Sequence, residues 1–175
     1  NGIDYFIFVG DKSKASFEKI HPDLASKTRI IYNVIDSNLI RKRAQEPIVG
    51  MNVDKNKLCV VTVARYTPQK AVDRAIRVHK RLNDAGISFQ WFVIGYGEEK
   101  EKLEQLIARY KLQGKFVLLG ERMNSYPYMK RADIFALPSL YEGRPVVITE
   151  AQILGRPIIM TDVSGARESI RSQEN

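Results

Sequence analysis

The sequence predicts a doubly wound α/β sheet with parallel strands. Three observations carry that prediction. From residue 58 onward, short apolar runs alternate five times with stretches of polar, helical periodicity. The first run, "LCVVTVA" at 58–64, is apolar almost throughout, as expected of a parallel strand covered on both faces. The residues that would be out of place in a core follow the apolar runs: Arg65, "GYG" at 95–97, "GER" at 120–122, "PSLYEGRP" at 138–145 and "TDVSG" at 161–165. Parallel α/β sheets bind ligands beyond the carboxyl ends of their strands, so these five segments converge on one rim.

Each element follows from local pattern. "DYFIFVG" (4–10) predicts a strand, "DKSKASFEKI" (11–20) a helix and "TRIIYN" (28–33) a second strand. Residues 41–57, "RKRAQEPIVGMNVDKNK", are polar and hold a Pro and a Gly, which predicts a linker or long loop. After the run at 58–64, "PQKAVDRAIRVHKRLNDAG" places Val72, Ala75, Ile76 and Leu82 on one helical face, with Gly86 as its stop. "FQWFVIG" is the next strand. In "EEKEKLEQLIARYKL", Leu103, Leu106, Ile107 and Tyr110 follow the i, i+3, i+4, i+7 spacing of an amphipathic helix. "KFVLLG" predicts a strand, "NSYPYMKRA" a short broken helix and "DIFALPS" a strand. "PVVITEAQILG" is a helix, with Pro145 suited to its first turn and Gly155 to its end. "RPIIMT" is the last strand, and "GARESI" begins a helix.

Composition narrows the class. The 175 residues suit one domain, or one domain plus part of another, and 44% hydrophobic residues can fill a core. Lys and Arg exceed Asp and Glu by 28 to 20, a net +8 that favours phosphate ligands, polyanions or an anionic membrane surface. The single cysteine, Cys59, reads as a small core residue, which excludes an intrachain disulfide and points to a reducing compartment. No run is long and apolar enough to span a bilayer, and the opening residues lack the features of a signal peptide. A chain that opens in mid-pattern is expected to be cut from something longer. No metal-ligand cluster is visible: His21 and His79 stand alone, and a structural role is expected for His79.

The most informative stretch is "YEGRPVVITE" (141–150), where Glu142 and Glu150 bracket a helix start. Were the whole stretch helical, a rise of ~1.5 Å per residue would separate them by ~12 Å. That is too far for an acid/base pair on one bond, and suits two hydroxyl-rich groups with a diphosphate between them. N–H groups around Arg144, Val146 and Val147 offer an anion site aided by the helix dipole, and Gly143 lets a ligand approach the backbone. The competing reading is a pair of glutamates on a solvated face. Arg65 and Lys70 supply positive charge. A lysine in the first turn of a helix is disfavoured by the dipole and makes sense with an anion opposite, although a surface Lys-Arg pair has the same sequence. "GYGEEKEK" is not a dinucleotide fingerprint, since charged residues follow the second glycine. A tight turn at Gly95 and Gly97, or close approach to a sugar or phosphate, both fit.

The segments "VARYTPQK", "WFVIGYGEE…LEQLIARYKLQGKFVLLGE" and "RADIFALPSLYEGRPVVITEAQILGRPIIMTDVSGARESI" resemble the C-terminal half of retaining GT-B glycosyltransferases, of the large bacterial group often called family 4 (group 1). The resemblance covers residues 58–170, and its Glu-x7-Glu motif at 142–150 is highly specific. It implies a Rossmann-like donor-binding domain over 58–175 and a linker over 46–57. It further implies that residues 1–45 are the last part of an N-terminal acceptor domain and hinge. By resemblance, Arg65 and Lys70 grip the donor diphosphate, Glu142 faces the transferred sugar and Glu150 takes the ribose hydroxyls. Arg65, Lys70 and Glu142 would then be the catalytic residues. The backbone at Gly143, Arg144, Pro145 and Val146, with Ser139 before it, forms the phosphate cradle. The segment Glu121, Arg122, Met123 lies against the base, and Gly95 and Gly97 line the rim. This chain departs from the family at Lys70-Ala71, where Lys-Gly is usual, a mild change. It departs at Arg144-Pro145, where Phe-Gly is frequent, and at "YNVID" (32–36), a hinge motif without its Pro and Gly.

The implied donor is a UDP- or GDP-linked sugar, used without cofactor or metal. The acceptor would be a lipid or glycan in bacterial surface polysaccharide or glycolipid synthesis, at the cytoplasmic side with peripheral contact to the inner membrane face. The implied chemistry is hexosyl transfer with retention, in which charge growing on the leaving diphosphate is met electrostatically. The isolated chain would be inactive. Two rivals share some of these features. A sugar-nucleotide epimerase of the same fold needs a cluster of catalytic histidines and acids, which the sequence does not offer. A basic nucleic-acid-binding module needs aromatics interleaved with Lys and Arg, whereas these aromatics mostly sit in strands, so no nucleic-acid partner is expected.

Overall fold

The computed structural model describes residues 2–163 and Ala166. It holds two parallel sheets. The smaller pairs β1 (Phe6–Phe8) with β2 (Thr28–Ile30), joined through helix α1 (Asp11–Ile20) and a 3₁₀ turn at Pro22–Lys27. The larger has five strands: β3 (Leu58–Val63), β4 (Phe89–Ile94), β5 (Phe116–Gly120), β6 (Ile134–Leu137) and β7 (Ile158–Met160). Their spatial order is β5-β4-β3-β6-β7, and every neighbouring pair is parallel. The order runs one way from β3 to β5 and the other way from β6 to β7. The switch point therefore lies between β3 and β6, where their diverging connections open a crevice.

Successive side chains on a strand face opposite sides, and each side of this sheet has its own core. On one side, Val60, Trp91, Val93 and Phe116 meet α3 (Val72–Asp84) and α4 (Lys100–Arg109) through Val72, Ala75, Ile76, Leu103 and Ile107. On the other, Cys59, Val61, Phe92, Phe135 and Leu137 meet three helices. These are α2 (Ser37–Arg43), α5 (Tyr126–Arg131) and α6 (Val146–Ile153), which contribute Ile40, Tyr128, Met129, Ile148 and Ala151. Cys59 is buried, as a core residue should be, and burial pushes its thiol up to about 11. His79 is also core: its ring stacks on Phe89 at 4.1 Å, and desolvation, with Lys115 nearby, lowers its pKa to about 4.

One expectation holds only in part: residues 44–57 form a long loop without helix or strand, but 41–43 belong to α2. Asp36 caps that helix, its carboxylate accepting from the N–H groups of Asn38 and Leu39 at 2.9 Å each. The stretch beyond α2 is a docked strap. Ile48, Met51 and Val53 pack on the core. The Tyr128 hydroxyl bonds both the N–H and the carbonyl of Val49, and the Gln90 side chain accepts from the Asp54 N–H at 2.7 Å. Averaged polarity hid three apolar anchors. The helix expected from "GARESI" lies outside the described residues, apart from Ala166. Among the described residues no helix is long and apolar enough to cross a membrane, and no group of three or more His, Cys, Asp or Glu could hold a metal ion.

Candidate functional site

A cleft of about 360 Å³ opens at the carboxyl ends of β3, β4 and β5, beside the start of α6. Its walls include Arg65 and Lys70 after β3, Gly95 and Tyr96 after β4, Glu121 and Arg122 after β5, and Pro145, Val146 and Val147 at the start of α6. Pro145 occupies the N-cap position with no side chain capping the helix, so the first N–H groups of α6 look out with the positive end of the dipole.

Backbone nesting shapes the cleft floor. Gly95 and Gly97 have φ of 151° and 155°, and a Cβ on either would collide with the main chain of Ala64 or Tyr66. The close approach at both glycines is to the protein's own backbone. The Tyr66 N–H donates to the Tyr96 carbonyl at 2.7 Å, and the Glu99 N–H donates to the Tyr66 carbonyl at 3.1 Å. The Tyr66 ring is wholly buried. Its hydroxyl donates to the Val93 carbonyl at 3.2 Å and accepts from the Gly120 N–H at 3.3 Å. Burial pushes its pKa to about 12, so it stays a neutral donor at any working pH. Sequence reasoning missed Tyr66. The available signal was a tyrosine directly behind a buried strand, since a buried phenol needs a partner.

Lys70 closes the 3₁₀ turn Pro68–Lys70, and its ammonium lies 2.6 Å from Glu142 Oε1. The pair is shielded, with side chains 17% and 7% exposed. The anion expected opposite Lys70 is thus a carboxylate of the chain itself. Two further bonds stitch the same loops: the Leu140 N–H to the Gln69 carbonyl at 2.8 Å, and Gln69 Nε2 to the Tyr141 carbonyl at 3.0 Å. Glu142 precedes α6 by several residues, so the spacing expected for a continuous helix does not apply to it.

The other expected residues are scattered by the fold. Glu150 lies on α6 one turn beyond the cleft-lining Val146 and Val147, where its Oε1 accepts from the Tyr126 hydroxyl at 3.2 Å. Desolvation raises its pKa, and the bond from Tyr126 opposes the rise. Arg144 does not line this cleft; its guanidinium stacks over the Tyr32 ring at 4.3 Å, toward the smaller sheet. Ser139 is wholly buried and its hydroxyl has no hydrogen-bond partner, while its carbonyl accepts from the Thr161 hydroxyl. Met123 is 95% exposed, and its carbonyl accepts from Arg43 at 3.3 Å. Gly143 has no left-handed φ, and a Cβ there would make only ordinary contact, with Ser13.

A crevice at a switch point, three cationic side chains and an open helix start suit a phosphorylated ligand. The profile of the family described as Glycosyl transferases group 1 matches residues 45–175. The chain belongs to the group 1 glycosyl transferases. This glycosyl transferase chain is 31% identical over 175 residues to an uncharacterized glycosyltransferase of Methanocaldococcus jannaschii, covering 98% of the chain and 43% of that relative. It is 33% identical over 149 residues to the N-acetylgalactosamine-N,N'-diacetylbacillosaminyl-diphospho-undecaprenol 4-alpha-N-acetylgalactosaminyltransferase of Campylobacter jejuni, covering 85% of the chain and 39% of the relative. The crystal structure of HepE from Anabaena, in complex with UDP-glucose, superposes with a TM-score of 0.76 at 26% identity. The overlap is 94% of this chain and 46% of that one. The chain therefore spans less than half the length of each of these relatives. Its sheet is Rossmann-like, and its structural neighbours are GT-B glycosyltransferases.

Proposed function

We propose that this group 1 glycosyl transferase chain is the C-terminal, donor-binding part of a retaining GT-B enzyme of the family 4 type, which transfers a hexose from a nucleotide sugar. The observation that carries the reading is the meeting of Arg65, Lys70 and the uncapped start of α6 in one cleft at the switch point. A diphosphate there would receive two side-chain cations and backbone N–H groups together. The main chain of Glu121, Arg122 and Met123 would flank the base, Glu150 would take the ribose hydroxyls and Glu142 would face the sugar. As the anomeric C–O bond breaks, charge grows on the leaving diphosphate, and Arg65, Lys70 and the helix start meet it there without reorganisation and without a bound metal. Lys70 begins this sequence already paired with Glu142, so donor arrival would draw the ammonium toward phosphate and release the carboxylate for the sugar.

Residues 1–45 would belong to the end of the acceptor domain and its hinge, and 46–57 to the strap that joins it to the donor domain. HepE was crystallised with UDP-glucose, and the Campylobacter relative is named for transfer onto a diphospho-undecaprenol-linked sugar. The first favours a nucleotide-linked donor, UDP- or GDP-linked in our reading, and the second a lipid-linked or glycan acceptor in surface polysaccharide or glycolipid synthesis. The enzyme would work at the cytoplasmic membrane face through peripheral contact. The test is a panel of UDP- and GDP-sugars with the full-length protein, alongside thermal shifts with nucleoside diphosphates and single-stranded oligonucleotides. One nucleotide sugar should be consumed, and its nucleoside diphosphate should raise the melting temperature. Stabilisation by oligonucleotide alone would overturn the reading.

A further inference from the structure

Glu150 does not stand alone on α6. The Tyr126 hydroxyl, from α5, donates to its Oε1 at 3.2 Å. The Tyr126 ring in turn lies under the Arg43 guanidinium, 5.7 Å away, at the end of α2. Arg43 also donates to the Met123 carbonyl, and the Asn124 side chain donates to the Arg43 carbonyl at 2.9 Å. Asn124 Oδ1 then accepts from the Tyr126 N–H at 3.1 Å, fixing the start of α5. One connected set of polar contacts therefore joins α2, the segment after β5, and Glu150. Ser125, the residue before Tyr126, lines the cleft, and so do Val146 and Val147 one turn before Glu150.

Resting on the donor-site reading above, we infer that Tyr126 is a positioning residue that holds the Glu150 carboxylate toward the nucleotide's ribose and so sets discrimination for the 2′-hydroxyl. A carboxylate on a helix surface has several rotamers, and one donor on Oε1 selects among them. An ionised carboxylate has about four lone-pair sites, so the bond leaves acceptor capacity for sugar hydroxyls. A phenol held by its ring under Arg43 and by its backbone at Asn124 has little freedom left to lose when it makes that bond.

The test is Tyr126→Phe in the full-length protein, which keeps the ring under Arg43 and removes only the hydroxyl. UDP, GDP and their 2′-deoxy forms are titrated by calorimetry into parent and variant, with melting temperatures recorded for both. The expected result is that the ribose form binds the variant about three- to tenfold more weakly, while the deoxy form, left with one hydroxyl for Glu150, is weakened clearly less. Equal weakening of both forms would mean a structural role only and would overturn the inference. No weakening of either would also overturn it, leaving the donor site intact. If none of these nucleotides binds the parent protein, the donor-site reading itself fails and the inference with it.

Discussion

The Lys70 ammonium pairs with Glu142 in the fold and, as proposed, meets phosphate in the donor complex. Their pair is mostly out of water, where removing one member costs more than an exposed pair would. Lys70→Ala should therefore destabilise the fold by about 2–4 kcal/mol in denaturant titration, and adding Glu142→Gln should recover part of that loss. In kinetics the proposed role makes Arg65→Ala and Lys70→Ala lower kcat by more than they raise KM, because phosphate charge is greatest in the transition state. Arg65→Lys should restore only part, since a point charge replaces a fork. Steady-state assays at two ionic strengths check this, and near-normal turnover in both alanine variants would refute the site. Glu150 gives the opposite trade. Its folded pKa is raised by burial, so the native state holds its proton more tightly than the unfolded chain does. Its ionisation above the ordinary carboxylate range therefore works against folding, and stability recovers as pH falls through the raised pKa. Glu150→Gln should raise the melting temperature at neutral pH while weakening nucleotide binding by about 1–3 kcal/mol. Loss of stability with unchanged binding would assign Glu150 to structure instead.

At the scale of elements, α3 carries two legible strains. Ala71 joins the 3₁₀ turn to α3 at φ 50° and ψ 40°, a left-handed conformation that opposes its own Cβ. The departure from Lys-Gly is thus less mild than the sequence implied. Ala71→Gly should stabilise the protein by about 1 kcal/mol, read as a higher denaturation midpoint; a lower midpoint would mean that methyl packing outweighs the strain. His79, on the same helix, has a folded pKa of about 4, below its unfolded value. The unfolded state then binds the proton first, so stability present above pH 6.5 is lost as pH falls toward 4. His79→Phe should flatten that part of the stability profile, and denaturation midpoints between pH 4 and 7 measure it. α2 shows why an element can escape a pattern search. It has seven residues and a single buried side chain, Ile40, too few for a periodic signal.

Across the whole molecule, the two sheets differ in how well they are covered. The large sheet has helices on both faces, whereas the smaller one leaves Ile3, Tyr5 and Ile7 more than half exposed, and Val34 beyond it almost wholly so. The Arg144 guanidinium over Tyr32 reaches from one unit to the other. On the proposed reading, transfer also needs an acceptor and exclusion of water from the donor, which a second domain closing over the cleft would supply. The 175-residue chain is accordingly expected to bind a nucleoside diphosphate weakly and to transfer no sugar. Calorimetry and a product assay on the purified chain check both, and turnover at rates typical of enzymes would overturn the assignment to a donor half.

The residue pattern alone determined the parallel α/β sheet, because buried strands need unbroken apolar runs and amphipathic helices need a 3.6 period. Both rules act within ten or so residues, so β3 to β7 and α3 to α6 were readable in order. It also determined that Arg65, Lys70, Glu121, Arg122, Pro145 and Val146 follow strands or open helices, which places them on one rim by topology alone. Only the tertiary structure decided which of them share a cleft and which face elsewhere. Arg144 turns to Tyr32, Ser139 sinks into the core and Lys70 finds Glu142, each through a contact that crosses from one loop or sheet to another. Tyr66 and Tyr126 belong to the same class: their hydroxyls bond Val93, Gly120 and Glu150, residues 24 to 54 positions away. Side-chain direction at a strand end depends on which neighbour crowds or pairs with it, and that neighbour is chosen by the sheet order.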